Sequence, residues 1–322
     1  MSGRGEFDWI RSRLVPLTRN HAAARGLADD AAVLDCPPGH ELVIACDTLV
    51  EGVHFLPGDT PHTVAARALG SNLSDLAAMG ADPLGYLSAI SWPQDRSEAW
   101  QNEFTQALGE IQDRYGVVLL GGDTTRTPGP LTLSLTLIGQ VATGAALSRS
   151  GAQPGDVVWV SGSIGDAALG LAWEQGDASL PAETAHRYRE PEPRLAVGQG
   201  LAGLASAALD VSDGLVADAG HLAAASRVGI EIDLPAVPLS ATCEAWVSGQ
   251  GDAGLIRLIT GGDDYELLFT APVSATPRIL ALGELCGVRL TQIGRAVSGQ
   301  GVVCRDGEGR AVPVATPGFT HF

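Results

Sequence analysis

Residues 119–126 read LLGGDTTR. Val117 to Leu120 form a short apolar run suited to a buried strand, and Gly121-Gly122 then let backbone amides come close to an anion. Asp123 adds a carboxylate for a cation, Thr124 and Thr125 add hydroxyls, and Arg126 adds a guanidinium. Together these are the parts of a phosphate-plus-metal turn. A tight hairpin with a solvated Asp123 is the plainer reading, but it leaves Arg126 and the hydroxyls without purpose.

The elements on either side of this stretch alternate. The spacing predicts a strand over 41–46 (ELVIAC) that ends in Asp47, a helix over 62–79 after Pro61, a strand over 84–92, a helix over 98–115 and a strand over 131–141. That alternation implies an α/β half whose polar loops gather at strand ends. After Arg149 the run SGAQPGD has the Gly/Pro density of a connection. We therefore expect two domains, 1–145 and 146–322. The second half predicts a strand over 156–161, helices over 196–208, 217–227 and 276–286, strands over 229–234 and 266–271, and an extended tail. The glycine pattern in SGSIGDAALG (161–170) is too loose to read as a dinucleotide-binding fingerprint.

Composition removes several function classes. The chain has 322 residues, 45% of them hydrophobic and 18% charged, which is enough to build a large core and favours two domains. A formal net charge of −17 argues against a nucleic-acid footprint and against acidic membranes as partners. The 5 cysteines are scattered without CxxC spacing, which fits reduced thiols in a cytoplasmic protein rather than disulfides or a zinc site. The N-terminal MSGRGEFDWIRSRLVPL interrupts with charges the apolar core that an export signal needs. The uncharged stretch 127–148 alternates with period two and carries Gly and Pro, so it reads as strand rather than bilayer helix. All 20 basic Lys+Arg residues are Arg. A P-loop lysine is therefore excluded, and positive charge at a phosphate must come from Arg, from bound cations or from a protonated His.

Aspartates at turns of small residues suit that second source. A carboxylate flanked by Gly, Ser and Ala can approach a hard cation unobstructed. GLADDAAVL (26–34) sets Asp29-Asp30 before a small apolar strand, DTLVEGVHF (47–55) holds Asp47 and His54, and SNLSDLAAMGADP (71–83) places Asp75 on an apolar helix, three residues from Asn72 on one face. DVSDGL (210–215) and TGGDDYEL (260–267) repeat the pattern. Each has a plain alternative: an acidic turn, an N-cap or, for Asp75, helix surface.

In order and spacing, GLADDAAVL, DTLVEGVHF, SNLSDLAAMGADP, GGDTTR, LSRSGAQPGD, DVSDGL, GGDDYEL and the terminal GFTHF resemble the thiamine-monophosphate kinases, in the superfamily of aminoimidazole ribonucleotide synthetase and selenophosphate synthetase. The resemblance spans essentially the whole chain. It implies an α/β (α+β) two-domain aminoimidazole ribonucleotide synthetase-like fold. The N-terminal domain would bind ATP and Mg²⁺ and form a shared barrel in a homodimer, and the C-terminal α/β domain would complete the active site. The implied reaction is ATP-dependent phosphorylation of thiamine monophosphate by in-line transfer, with no general base or nucleophile. Carried over by position, Asp30, Cys46, Asp47, Asp75, Asp123, Asp210 and Asp213 would bind several Mg²⁺ ions; Gly122, Asp123, Arg149 and Ser212 would contact ATP; His54, Asp263 and Phe319 would contact thiamine monophosphate. Four residues depart from the family pattern: Ala28 for a glycine, Cys46 for a hydroxyl residue, Asp263 for a glutamate and Phe319 for a tyrosine. The alternatives are another ATP-dependent enzyme of the superfamily, of the aminoimidazole ribonucleotide synthetase type, and a non-catalytic Mg²⁺-dependent nucleotide-binding protein. A selenophosphate synthetase would need a lysine and a reactive N-terminal Cys, which are missing.

Overall fold

Strand β1 (His40–Val50) is the edge of a four-stranded sheet completed by β2 (Asp82–Pro93), β3 (Leu119–Thr127) and β4 (Thr132–Ala142), in the order β1-β4-β2-β3. This is a computed structural model, and it describes residues 6–320, without the side chains of Glu6 and Phe7. The first five residues and the last two, the final HF of GFTHF, lie outside the described part. The chain divides into two compact units, Met1–Leu76 with Asp82–Gly144, and Ala77–Ala81 with Ala145–Phe322.

In the first unit, β4 alternates strictly, with Leu133, Leu135 and Leu137 buried and Thr132, Ser134 and Thr136 only partly covered. One face of the sheet is therefore core, and the period-two pattern fixes the register. A short helical turn, α1 (Glu6–Trp9), precedes two helices, α2 (Pro61–Ala78) and α3 (Glu98–Tyr115). Val64, Ala65, Ala68, Leu69, Leu73 and Leu76 of α2 are each at most 1% exposed. Burying each large side chain contributes roughly 1.5–3 kcal/mol. Ser97 caps α3 by accepting from the Trp100 N–H, and Gly116 ends it at φ 68°, where only glycine is unstrained.

The second unit is built on a seven-stranded mixed sheet of β5 (Val157–Ser161), β6 (Ala207–Asp210), β7 (Gly229–Asp233), β8 (Leu267–Ala271), β9 (Leu290–Val297), β10 (Gly301–Arg305) and β11 (Ala311–Val312), ordered β11-β10-β7-β9-β5-β8-β6. Around it lie α4 (Asp166–Glu174), α5 (Ala185–Arg189), α6 (Leu195–Gly200), α7 (Leu215–Ser226), α8 (Ala241–Ser248), α9 (Asp252–Ile259) and α10 (Thr276–Cys286). Trp159 of β5 stands opposite Phe269 of β8, their rings stacked at 6.1 Å and 4°. Such a cross-strand aromatic pair pins register as well as adding buried area.

Several expected elements differ. No strand forms over 31–34, because the Val33 N–H turns back to the Ala23 carbonyl at 3.0 Å and finds no neighbouring strand. β1 continues past Asp47 to Val50, since Thr48, Leu49 and Val50 keep pairing with β4. The GGDTTR stretch is likewise strand, held in parallel register with β2 as far as Thr127. The expected helix over 196–208 stops at Gly200, and the chain turns through Gly203 at φ 70° into β6. Helices α5, α8 and α9 were not expected.

Candidate active site

Within the first unit, an asparagine ties the backbone at Asp47 to the helix that carries Asp75. Asn72, wholly buried on α2, accepts the Asp47 backbone N–H on Oδ1 at 3.0 Å and donates from Nδ2 to the Ala68 carbonyl at 2.9 Å. Asp75 follows one turn later on the same face of the helix, half-buried. Protein packed about the Asp47 carboxyl raises its pKa by desolvation, partly offset by nearby His54, although the residue as a whole is exposed.

His54 sits in the turn that follows β1. Its Nδ1 accepts the Val50 N–H at 3.0 Å, which leaves Nε2 to carry the proton of the neutral ring. Its carbonyl accepts from Nε and Nη2 of the buried Arg67 at 3.1 and 2.7 Å. The turn is thus fixed from both sides.

Other expected ligands lie elsewhere. Cys46 points to the sheet face opposite Asp47, its Sγ 3.6 Å from the Ser134 hydroxyl. Asp123 pairs in register with Ala89, Ala89 with Ser134, and Ser134 with Thr48, so Asp123 lies on the sheet face of Thr48 and Cys46, opposite that of Asp47, and on the other edge strand. Three strand spacings separate those edges, about 14 Å. Gly122 lies so close to β2 that a Cβ would sit 2.0 Å from the Ser88 carbonyl oxygen. Asp30 is exposed beside Asp29, which pairs with Arg25 at 2.7 Å, and Arg126 donates to the Pro93 carbonyl at 3.4 Å.

The second unit gathers its residues around the loop from Asp210, at the end of β6, to Gly214, before α7. Asp210 is 5% exposed. The N–H groups of Ser212, Asp213 and Gly214 all donate to Oδ2 of Asp218, at 3.0, 3.0 and 3.1 Å. The Ser212 carbonyl accepts the Asp263 N–H at 2.8 Å, and the Asp213 carbonyl accepts the Phe319 N–H at 3.0 Å. Ser212, Asp213, Asp263 and Phe319 are thereby tied to one loop. Arg149 is exposed, its carbonyl accepting from the Ser226 hydroxyl at 3.1 Å at the end of α7.

Electrostatics mark the same loop. The Asp218 carboxyl is pushed up to about 7, first by burial and then by Asp210 and Asp213. Asp213, Asp218 and His221 each offer a ligand atom within 4.8 Å of the others. This is an oxygen-rich cluster with excess negative charge, which a hard divalent cation would neutralise.

Asp264, in the TGGDDYEL stretch, is 2% exposed. Its Oδ1 accepts the Gly165 N–H at 2.8 Å, and burial holds its pKa well above the carboxylate range. Two residues on, the wholly buried Glu266 takes hydrogen bonds from Arg187, Arg194 and the Ser161 hydroxyl, the last at 2.6 Å. Asp218 and Glu266 escaped sequence reading. For Asp218 a signal was present: a lone acid on the apolar helix LVADAGHLAAAS, the argument already applied to Asp75.

Two successive domain families match the chain: AIR synthase related protein, N-terminal domain, over residues 28–141, and AIR synthase related protein, C-terminal domain, over 153–307. They define a two-domain protein of the AIR synthase-related class. The chain is 42% identical over 320 residues to a thiamine-monophosphate kinase of Caulobacter vibrioides, covering 98% of this chain and 90% of that one. It is 39% identical, at TM-score 0.83, to the crystal structure of thiamine-monophosphate kinase from Stenotrophomonas maltophilia, covering 97% and 98%. It also matches AaThiL complexed with AMPPCP and TMP, at TM-score 0.78 and 30% identity, over 99% and 97%. The chain belongs to the thiamine-monophosphate kinase family.

Proposed function

We propose that this protein transfers the γ-phosphoryl group of ATP to thiamine monophosphate, giving ADP and thiamine diphosphate, in the cytoplasm and as a homodimer. The observation that carries the reading is the loop of residues 210–214, whose backbone holds Ser212 and Asp213 against the amides of Asp263 and Phe319. The acceptor phosphate is already ionised, so no residue has to remove a proton. Positioning and charge neutralisation are then sufficient chemistry.

Among the chain's residues, Asp30, Asp47, Asp75, Asp123, Asp210 and Asp213 are our assignment for Mg²⁺. The oxygen-rich cluster and the excess carboxylate charge around Asp218 support it. Bound Mg²⁺ supplies positive charge to the phosphates, a role no lysine can fill here. Cys46 is a poorer assignment, because a thiol suits a hard ion badly. Gly122, Arg149 and Ser212 are assigned to ATP, with Arg149 offering a bidentate fork. His54, Asp263 and Phe319 are assigned to thiamine monophosphate, where a carboxylate and an aromatic face suit a cationic thiazolium.

The homodimer reading is supported by the edge strand β1, where Leu42 and Ile44 are 38% and 62% exposed. Apolar edge strands invite pairing with another chain. None of the described helices is long and apolar enough to cross a membrane.

A substrate panel tests the activity. With ATP and Mg²⁺, thiamine monophosphate should support ADP release, while the substrate of an aminoimidazole ribonucleotide synthetase should not. The reverse order would overturn the assignment, and ATP binding without turnover on any acceptor would point to a binding protein.

A further inference from the structure

Asp218 stands outside every expected ligand set, yet it is the centre of the loop just described. It is 4% exposed, on the first turn of α7, and one of its oxygens, Oδ2, receives three successive backbone N–H groups. An oxygen with that many donors is largely committed to the backbone. The carbonyls of the same segment point the other way, toward Asp263 and Phe319.

Glycines show how closely the flanking chains are clamped. A Cβ on Gly262 would lie 2.4 Å from the Ser212 carbonyl oxygen, and one on Gly318 2.4 Å from the Asp213 carbonyl oxygen. Gly214 itself holds φ 122°, a backbone state that L side chains rarely adopt. Each glycine is followed at once by a residue assigned to the thiamine phosphate, Asp263 after Gly262 and Phe319 after Gly318. The 212–214 backbone is therefore a shared mount, with donors turned to Asp218 and acceptors turned to the two substrate residues.

We propose that Asp218 is a positioning residue: its carboxylate fixes the 212–214 backbone and so sets the placement of Asp263 and Phe319 relative to Ser212 and Asp213. This inference rests on the proposed function for the roles of those four residues. Asp218 touches no substrate in this scheme. It acts through hydrogen-bond geometry, so an uncharged acceptor of the same shape should largely replace it.

The test compares Asp218→Asn, which keeps an acceptor oxygen, with Asp218→Leu, which keeps the size and removes it. Wild-type turnover of thiamine monophosphate is measured first, because its absence would remove the functional reading and leave the loop geometry untouched. Given wild-type turnover, Asp218→Leu should lower kcat/KM for thiamine monophosphate about 100-fold, with KM rising about tenfold, and amide exchange across 212–214 should quicken. Asp218→Asn should stay within about tenfold of wild type at an unchanged Mg²⁺ requirement. A folded Leu variant with wild-type constants would overturn the proposal. So would an Asn variant that loses activity together with a tenfold higher Mg²⁺ requirement, the mark of a metal ligand. Should the Leu variant fail to fold, Asp218→Ala, which also removes the acceptor, takes its place with the same expected and overturning results.

Discussion

Asn72 holds the backbone of Asp47: the buried amide oxygen of one accepts the N–H of the other at 3.0 Å. Because Asn72 is on α2 and Asp47 on β1, this bond ties the strand backbone at Asp47 to the helix one turn before Asp75. Replacing Asn72 by Ala should remove that tie and the bond to Ala68, and destabilise the protein by about 1–3 kcal/mol. The proposed activity should fall at least tenfold, by roughly the loss expected when reacting groups are misplaced by about 1 Å. Thermal melting and steady-state assays check both effects; a variant with lowered stability but wild-type kcat/KM would show that the tie serves folding alone.

Asp123 is exposed on an edge strand, where substitutions usually change stability by less than about 0.5 kcal/mol. Asp123→Ala should therefore melt like wild type while losing turnover. Retained turnover would refute its assignment to metal and ATP.

Asp218 makes a pH prediction. Its carboxyl titrates near 7 in the folded chain, against 3.8 ordinarily, so the folded state keeps a proton that the unfolded chain has released. Stability that depends on this group should fall as pH rises from about 4 through 7 and level off above. Melting the metal-free protein across pH 5 to 8 should show that fall, and Asp218→Asn should remove most of it. Saturating Mg²⁺ should flatten the wild-type curve, since a cation near Asp213 offsets the repulsion. Parallel curves for wild type and variant would contradict the shift.

Ile44 is 62% exposed on an edge strand. Light scattering should give twice the chain mass for the wild type and a monomer for Ile44→Asp. An equally dimeric variant would place the interface elsewhere.

Helix and strand periods were readable where burial is one-sided. The α3 boundaries, 98 to 115, follow from a Ser cap and a Gly stop in the sequence, and the α10 boundaries are as clear. Long-range pairing was not readable. GGDTTR has the composition of a turn, but β2 alongside it keeps the segment extended. The Ala/Leu-rich 196–208 looks helical until Ala207 and Ala208 find partners in β8. At the site, acids in small-residue turns were visible one by one. That Asp218 and Asn72 organise their neighbours depends on backbone groups that pattern reading does not locate, and the burial of Asp264 comes from contacts distant in sequence, such as the Gly165 N–H.

Transfer of the ATP γ-phosphoryl group to a phosphate acceptor is tested with ATP labelled in that group, incubated with the protein, Mg²⁺ and thiamine monophosphate. Label should appear in the terminal phosphate of thiamine diphosphate, one for each ADP formed. Label found only in inorganic phosphate, with no thiamine diphosphate, would contradict it.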